Sequence, residues 1–317
     1  MIDAVVTWVD GDDPAHEAKR LSHLDACLED GVDRKGIRPT RFKQSGELWF
    51  CIRLIRRHAP WISRIFLVTD GQRPSWLTSS EQELLGVEVI DHTVLFRGIE
   101  DYLPVFSSRS IETLLFRIPG LADRFLYFND DVFLIHPLAK SSYFADGKCL
   151  MRGKWQPGKS AGRKLLLEIN GLLARHWPRS SFRDGYSGRR AERRLLDGDE
   201  YFALAHAPFP VSTPLMKEII QDSDLLSNAR FRFRNKNQVN PIAYMTHFGF
   251  SRGVVDRGNE DWEYVNCDSH SSRVIEARLK RCTSDSSIKS LCVQSMEAAH
   301  PSTKDMIESF LHQALES

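Results

Sequence analysis

Along the first half of the chain, short apolar runs repeatedly stop at carboxylates. Ile2-Asp3-Ala4-Val5-Val6-Thr7-Trp8-Val9 leads into Asp10-Gly11, and Arg64-Ile65-Phe66-Leu67-Val68-Thr69 into Asp70-Gly71. Val87-Glu88-Val89-Ile90 ends at Asp91, and Phe125-Leu126-Tyr127-Phe128 ends at Asn129-Asp130-Asp131. Nearly continuous apolar runs of this length, bounded by turn residues, predict buried strands. Between the first two, Leu48, Cys51, Ile52 and Ile55 fall at helical spacing, with Arg53, Arg56 and Arg57 elsewhere on the wheel. That predicts an amphipathic crossover helix and hence a parallel strand pair. Ser108 is placed to cap a helix through Ile111, Leu114 and Leu115, which Pro119-Gly120 would stop.

After Leu138 the alternation loosens. Lys164 to Trp177 has helical periodicity, Ser180 to Arg190 reads as an exposed loop, and Thr213-Pro214 is a helix start leading into Leu215 to Ile220. Ser302-Thr303-Lys304-Asp305 resembles a capping box opening a final helix through Ile307, Phe310, Leu311 and Leu315. The expected organisation is an α/β core over residues 1–137, a basic helical insertion or lid over 138–205, and a C-terminal part, 206–317, that completes the site.

Composition narrows the class. With 43 Lys and Arg against 42 Asp and Glu the net charge is +1, so there is no global argument for nucleic-acid binding. Locally, Arg152, Lys154, Lys159, Arg163, Lys164, Arg175, Arg179, Arg183, Arg189, Arg190, Arg193 and Arg194 form a basic stretch. It reads as a solvated face and loop, or as a rim that attracts an anionic substrate. The six cysteines are scattered without a C-x-x-C pair, which argues against zinc or redox chemistry. There is no apolar run of about 18 residues, and the first one reads as a strand rather than a leader, so a cytoplasmic location is expected.

The strand ends carry the candidate chemistry. In open α/β sheets ligands bind at the carboxyl ends of strands, so acids there read as holders of a metal and a phosphorylated substrate. Asp-Gly at residues 10–11 is equally an ordinary turn. The pair Asp130-Asp131 is harder to explain as a turn, because adjacent carboxylates at the end of an apolar strand need solvent or a cation to compensate them.

The order of motifs resembles the Stealth family of sugar-1-phosphate transferases. Ile2 to Pro14 is similar to its first block. The second is similar to Arg41-Phe42, Gly46-Glu47-Leu48, Ala59-Pro60-Trp61-Ile62, Val68 to Leu77, Asp91-His92, Leu103 to Ser108, Ile111-Glu112 and Phe125 to Asp131. His206-Ala207-Pro208 and Arg230-Phe231-Arg232-Phe233-Arg234 resemble elements of a third block, although Gln238 stands where an Asp is usual. The fourth block, typically Cys-x-Asn-Asp, reads Cys292-Val293-Gln294-Ser295.

The resemblance implies a GT-A-like, Rossmann-type, mainly parallel sheet with a helical subdomain in the C-terminal half. It implies transfer of hexose-1-phosphate or N-acetylhexosamine-1-phosphate from a UDP-sugar to a hydroxyl of a growing polysaccharide or glycan, with release of UMP. Mg²⁺ or Mn²⁺ would be held by Asp130 and Asp131, since attack at a diphosphate needs its charge compensated. His206, Asp10, Arg234 and Arg232 are the catalytic candidates, with His206 as base. Asp10, Gly11, Gln72, Asn129 and Arg232 are the nucleotide-sugar contacts. His206 before Ala-Pro also reads as a turn residue, Arg232 and Arg234 as the polar face of a strand, and Gly71-Gln72 as a plain turn. The resemblance also allows peripheral contact with membrane-associated capsule machinery at the inner face of the membrane. The rival readings are a conventional glycosyltransferase that releases UDP and a non-catalytic, polysaccharide-binding member.

Overall fold

A computed structural model describes residues 1–24, 32–34, 36–38, 41–157, 200–221 and 224–317. The first half contains β1 (Asp3–Thr7), α1 (Pro14–Ser22), α2 (Glu47–His58), β2 (Ile65–Thr69), α3 (Ser79–Leu85), β3 (Val87–Asp91), α4 (His92–Leu95), α5 (Ser108–Leu114) and β4 (Arg124–Asn129). There follow β5 (Val132–Leu134), β6 (Phe144–Ala145), β7 (Lys148–Met151), β8 (Gly153–Pro157), β9 (Glu200–Leu204), β10 (Phe209–Ser212) and α6 (Thr213–Gln221). The remainder is α7 (Pro241–Ser251), β11 (Val255–Arg257), β12 (Trp262–Asn266), α8 (Ser272–Ser284), β13 (Ser290–Gln294) and α9 (Pro301–Glu316).

The central sheet has the order β10-β4-β1-β2-β3. β1 runs parallel to β2 and β4, β2 parallel to β3, and only β10 is antiparallel, along β4. The expected Rossmann-type alternation is therefore present in the sheet itself. Ala4, Val5 and Val6, Phe66 and Leu67, and Leu126 and Phe128 are fully buried, which is why these strands read as unbroken apolar runs. At the opposite end from the acids, buried Asp3 is neutralised by the Arg64 guanidinium at 2.9 Å and accepts the Ala122 amide at 2.9 Å. This clamps the starts of β1, β2 and β4 together.

Residues far along the chain close over the acid turn. β13 runs parallel to β12 and antiparallel to β5, the strand that leaves Asp130-Asp131, and the Val293 amide donates to the Asp131 carbonyl at 2.9 Å. Within 138–205 the described flanks are a short 3-10 helix, Lys140–Ser142, and strands. β6 and β7 pair antiparallel, β7 alternates half-buried and buried residues, and β8 pairs with β9 from Gly153↔Leu204 to Pro157↔Glu200. The helix expected over Lys164 to Trp177 and the loop over Ser180 to Arg190 lie outside the described residues.

Helix starts differ by a residue or two from those expected. The cap position of α5 is Ser107, that of α9 is His300, whose side chain accepts from the Ser302 amide, and Thr213 is the first residue of α6, its hydroxyl donating to the Ala122 carbonyl. The Arg230 to Arg234 segment is not a strand. Phe233 is buried and stacks on Phe106 with ring centroids 5.0 Å apart, and with Phe42 the two form a small aromatic cluster separate from the main core.

Candidate active site

A cavity of about 1020 Å³ opens where the carboxyl ends of β1, β3 and β4 meet the loop after β9, the end of β13 and the segment before α2. Asn129, Asp130, Asp131, His206 and Arg234 all line it. Residues separated by most of the chain are thus brought to one space. Asp10, Gly11, Gln72 and Arg232 are not among the lining residues.

Each of those four has a local job. The Gln72 side chain accepts the Asp10 amide at 2.9 Å and donates to the Asp10 carbonyl at 2.9 Å and the Asp13 carboxylate at 2.8 Å, so it fastens the β1 turn to the β2 turn. The Asp10 carboxylate accepts the Asp12 amide at 3.0 Å, as an Asp does in a tight turn. Gly11 lets the turn meet the Phe42 backbone: its amide donates to the Phe42 carbonyl at 2.8 Å, and a Cβ there would fall 2.1 Å from that oxygen. Arg232 reaches the Asp101 carbonyl at 3.4 Å on the surface.

One wall of the cavity is basic. Arg41, Arg109 and Arg234 line it together with buried Glu112. Loss of water, then the nearby Arg234 and Arg109 guanidiniums, push Arg41 down to about 10 against the opposing charges of Asp33 and Glu112. Burial raises Glu112 although both arginines oppose the shift. The Tyr127 hydroxyl lies 3.2 Å from Glu112 and 3.0 Å from the Asn129 side-chain oxygen, linking this wall to the end of β4. Arg234 donates to the Ser108 hydroxyl at 3.1 Å, while its Nε is buried without a partner among the described residues.

Another part of the lining is acidic. Burial, then the charge of Glu47, raises Asp131 to about 6, and Asp130 is pushed well above the usual carboxylate range by burial, Asp131 and Glu47. Glu47 is itself raised by burial. Cys292, the residue paired with Val132, donates to the Asp131 side chain, but Asp131 Oδ1 is buried with no partner among the described residues. An orphaned oxygen beside a second repelled carboxylate fits a divalent cation. No group of three His, Cys, Asp or Glu among the described residues could hold a metal by itself.

His206 sits at the rim, stacked on Tyr264 with ring centroids 4.5 Å apart, and desolvation lowers its pKa. The Tyr264 hydroxyl donates to Gln294 Oε1 at 2.7 Å, and the Asn266 side-chain amide donates to both at 3.0 and 3.2 Å. The fourth-block departure therefore forms a neutral amide network on the cavity wall. Gln238 is different. It is fully buried away from the cavity, accepts from the Ser107 hydroxyl and the Asn235 amide, and donates to the Ser110 hydroxyl and the Asn228 carbonyl. It joins α5 to the segment after α6.

Arg41, Glu47 and Glu112 stand in the segments similar to the second block but were given no role, and Arg109 was not singled out. The available signal was the place of those three in the second-block segments, with Arg109 three residues before Glu112.

Residues 2–22 match Stealth protein CR1, conserved region 1, and residues 41–151 match Stealth protein CR2, conserved region 2. The capsular polysaccharide phosphotransferase LcbA of Aeromonas hydrophila is 30% identical over 275 residues, covering 84% of this chain and 71% of LcbA. The chain belongs to the Stealth family. Other Stealth relatives are longer or match over less of the chain. An exopolysaccharide phosphotransferase of Streptomyces coelicolor is 29% identical across 85% of this chain but only 27% of its own length. The receptor polysaccharide phosphotransferase WefC of Streptococcus oralis is 39% identical across 46% of this chain and 42% of its own. The chain thus spans less than half the length of these two Stealth relatives. Among solved structures, the bifunctional glycosyltransferase WbbM aligns with a TM-score of 0.49 at 13% identity, covering all of this chain and 52% of WbbM. The galactosyltransferase LgtC aligns with a TM-score of 0.43 at 10% identity, covering 99% of this chain and 95% of LgtC.

Proposed function

We propose that this Stealth chain transfers a hexose-1-phosphate or N-acetylhexosamine-1-phosphate from a UDP-sugar to a hydroxyl of a polysaccharide acceptor. The observation that carries this reading is one cavity lined by three arginines and by a buried carboxylate pair, with a neutral imidazole also among the lining residues. That is the charge pattern a diphosphate and an attacking hydroxyl require.

Arg234, Arg109 and Arg41 hold non-bridging phosphate oxygens, where guanidinium forks outperform point charges. Asp130 and Asp131 hold Mg²⁺ or Mn²⁺, which when bound compensates diphosphate charge. His206, kept neutral at pH 7 by desolvation, takes the acceptor proton. The acceptor oxygen then bonds to the phosphorus that carries the sugar, the P–O bond to the bridging oxygen breaks, and UMP leaves with that oxygen. The sugar keeps its own phosphate and gains a phosphodiester linkage.

Product analysis tests this. Purified protein with UDP-N-acetylhexosamine, Mg²⁺ and a polysaccharide acceptor should yield UMP and a phosphodiester signal in phosphorus NMR, and chelation should stop both. His206→Ala should lower kcat by about 10²–10⁴-fold while leaving donor affinity nearly unchanged. UDP in place of UMP, with no phosphorus in the new linkage, would make the chain a conventional glycosyltransferase. No turnover with any nucleotide sugar would favour a non-catalytic polysaccharide-binding role.

A further inference from the structure

The mechanism above uses the arginines, the carboxylates and the rim, but not the buried phenol that ties the basic wall to the carboxylate turn. Tyr127 is fully buried in β4. Side chains alternate along a strand, so Tyr127 and Asn129 stand on one face of the sheet, with Thr7, the β1 residue in register with Asn129, beside them. From α5, Glu112 reaches the Tyr127 hydroxyl. The Tyr127 ring stacks on Phe209, its register partner in β10, with centroids 6.2 Å apart, so packing holds the ring without help from the hydroxyl.

Three oxygens surround that hydroxyl: Thr7 Oγ1 at 3.0 Å, Asn129 Oδ1 at 3.0 Å and Glu112 Oε1 at 3.2 Å. A phenol has one proton to give. The Thr7 hydroxyl supplies a proton of its own to the phenol oxygen, whereas a carboxylate and an amide oxygen only accept, so Glu112 and Asn129 compete for the Tyr127 proton. Glu112 has a second donor in the Ser108 hydroxyl, which in turn accepts from Arg234 at 3.1 Å. Among the described residues Asn129 Oδ1 has no donor but Tyr127. Glu112 is thus served from the side of Arg234, and the Tyr127 proton goes to Asn129, the nearer acceptor.

An amide has one accepting and one donating end, and fixing the first aims the second. We propose that Tyr127 is a positioning residue: by holding Asn129 Oδ1 it turns Asn129 Nδ2 to the cavity, as a hydrogen-bond donor to a non-bridging oxygen of the phosphoryl group beside Asp130 and Asp131. Asn129 and both acids line the cavity. A donor already aimed where negative charge builds up stabilises the transition state without reorganising. Without the phenol proton the amide is free to turn, and an amide oxygen directed at a phosphate oxygen repels it. The assignment rests on the reading of the cavity as the site of phosphoryl transfer and adds the residue that aims one of its donors.

Tyr127→Phe in the full chain keeps the ring and removes only the hydroxyl. Its affinity for UDP, by calorimetric titration, should stay within about 2-fold of the native value because the arginines remain, while kcat for UMP release should fall about 10-fold or more. Asn129→Ala should lower kcat by a similar factor, and the double variant should be no slower than Asn129→Ala alone. Native kcat in either single variant overturns the assignment. So does a full further loss from Tyr127→Phe in the Asn129→Ala background, which would show the hydroxyl acting through Glu112 or through the fold. If Tyr127→Phe does not fold, the native chain labelled with nitrogen-15 asparagine decides. The Asn129 side-chain amide protons, assigned by their absence in Asn129→Ala, should move downfield on addition of UDP, and unmoved signals overturn the assignment. The product assay separates the two readings. Native UMP release by Tyr127→Phe overturns the positioning role and leaves phosphoryl transfer standing. A downfield shift that is lost in Tyr127→Phe, without UMP release by the native chain, supports the positioning role and defeats the transfer.

Discussion

Asp131 keeps a proton in the folded chain that the unfolded chain has already released by pH 5, because burial and Glu47 hold its pKa near 6. A carboxylate raised in this way contributes stability below its ordinary pKa of 3.8, and that contribution is lost as pH rises through about 6. A divalent cation competes with the same proton. Mg²⁺ or Mn²⁺ should therefore raise the melting temperature by a few degrees at pH 7.5, and the increment should vanish by pH 5. Asp131→Asn should raise Tm in cation-free buffer at pH 7.5 and abolish the increment. A cation effect independent of pH, or one that survives Asp131→Asn, would place the ion elsewhere. Thermal melts over a pH series read all of these outcomes.

At the scale of elements, the β1 turn and the segment before α2 are in backbone contact, and Gly11 is what permits it. In Gly11→Ala the new methyl meets the Phe42 backbone, so the segment must move and carry Arg41 and Lys43 with it. The expected result is a loss of about 1–3 kcal/mol in stability together with weaker UDP-sugar binding, measured by denaturant melts and titration. Unchanged donor affinity would show that Arg41 does not depend on this packing. Gly11 also shows where reading the sequence stops. The apolar runs ending at Asp10, Asp70 and Asp131 were legible because buried parallel strands need no partner residue to be recognised. Gly11 was read as a nucleotide contact because its actual partner, Phe42, is fixed only by the fold. Arg41 and Arg109 stood in plain view, but their meaning depends on Arg234 and Glu112, which other elements bring to the same wall. Gln238 looked like a lost carboxylate and is a buried link between α5 and the segment after α6.

In the whole molecule, the central sheet is made chiefly by the first half of the chain, and the second half supplies β10 to its edge and β13 to β5. Among the described residues no helix is long and apolar enough to cross a membrane. The bond from the Val293 amide to the Asp131 carbonyl joins the two halves beside the carboxylate pair. This makes one amide proton a reporter. In deuterated solvent, Val293 should exchange faster than Val5, because a three-stranded sheet closed by distant segments opens at lower cost than the interior of the main sheet. UDP-sugar with Mg²⁺ should slow Val293 exchange and leave Val5 unaltered. Equal rates for the two amides would mean that the halves open only together. If Val293 leads, the wall of the cavity comes away as a breathing unit, and bulky acceptors can enter and leave by partial unfolding, with no hinge required.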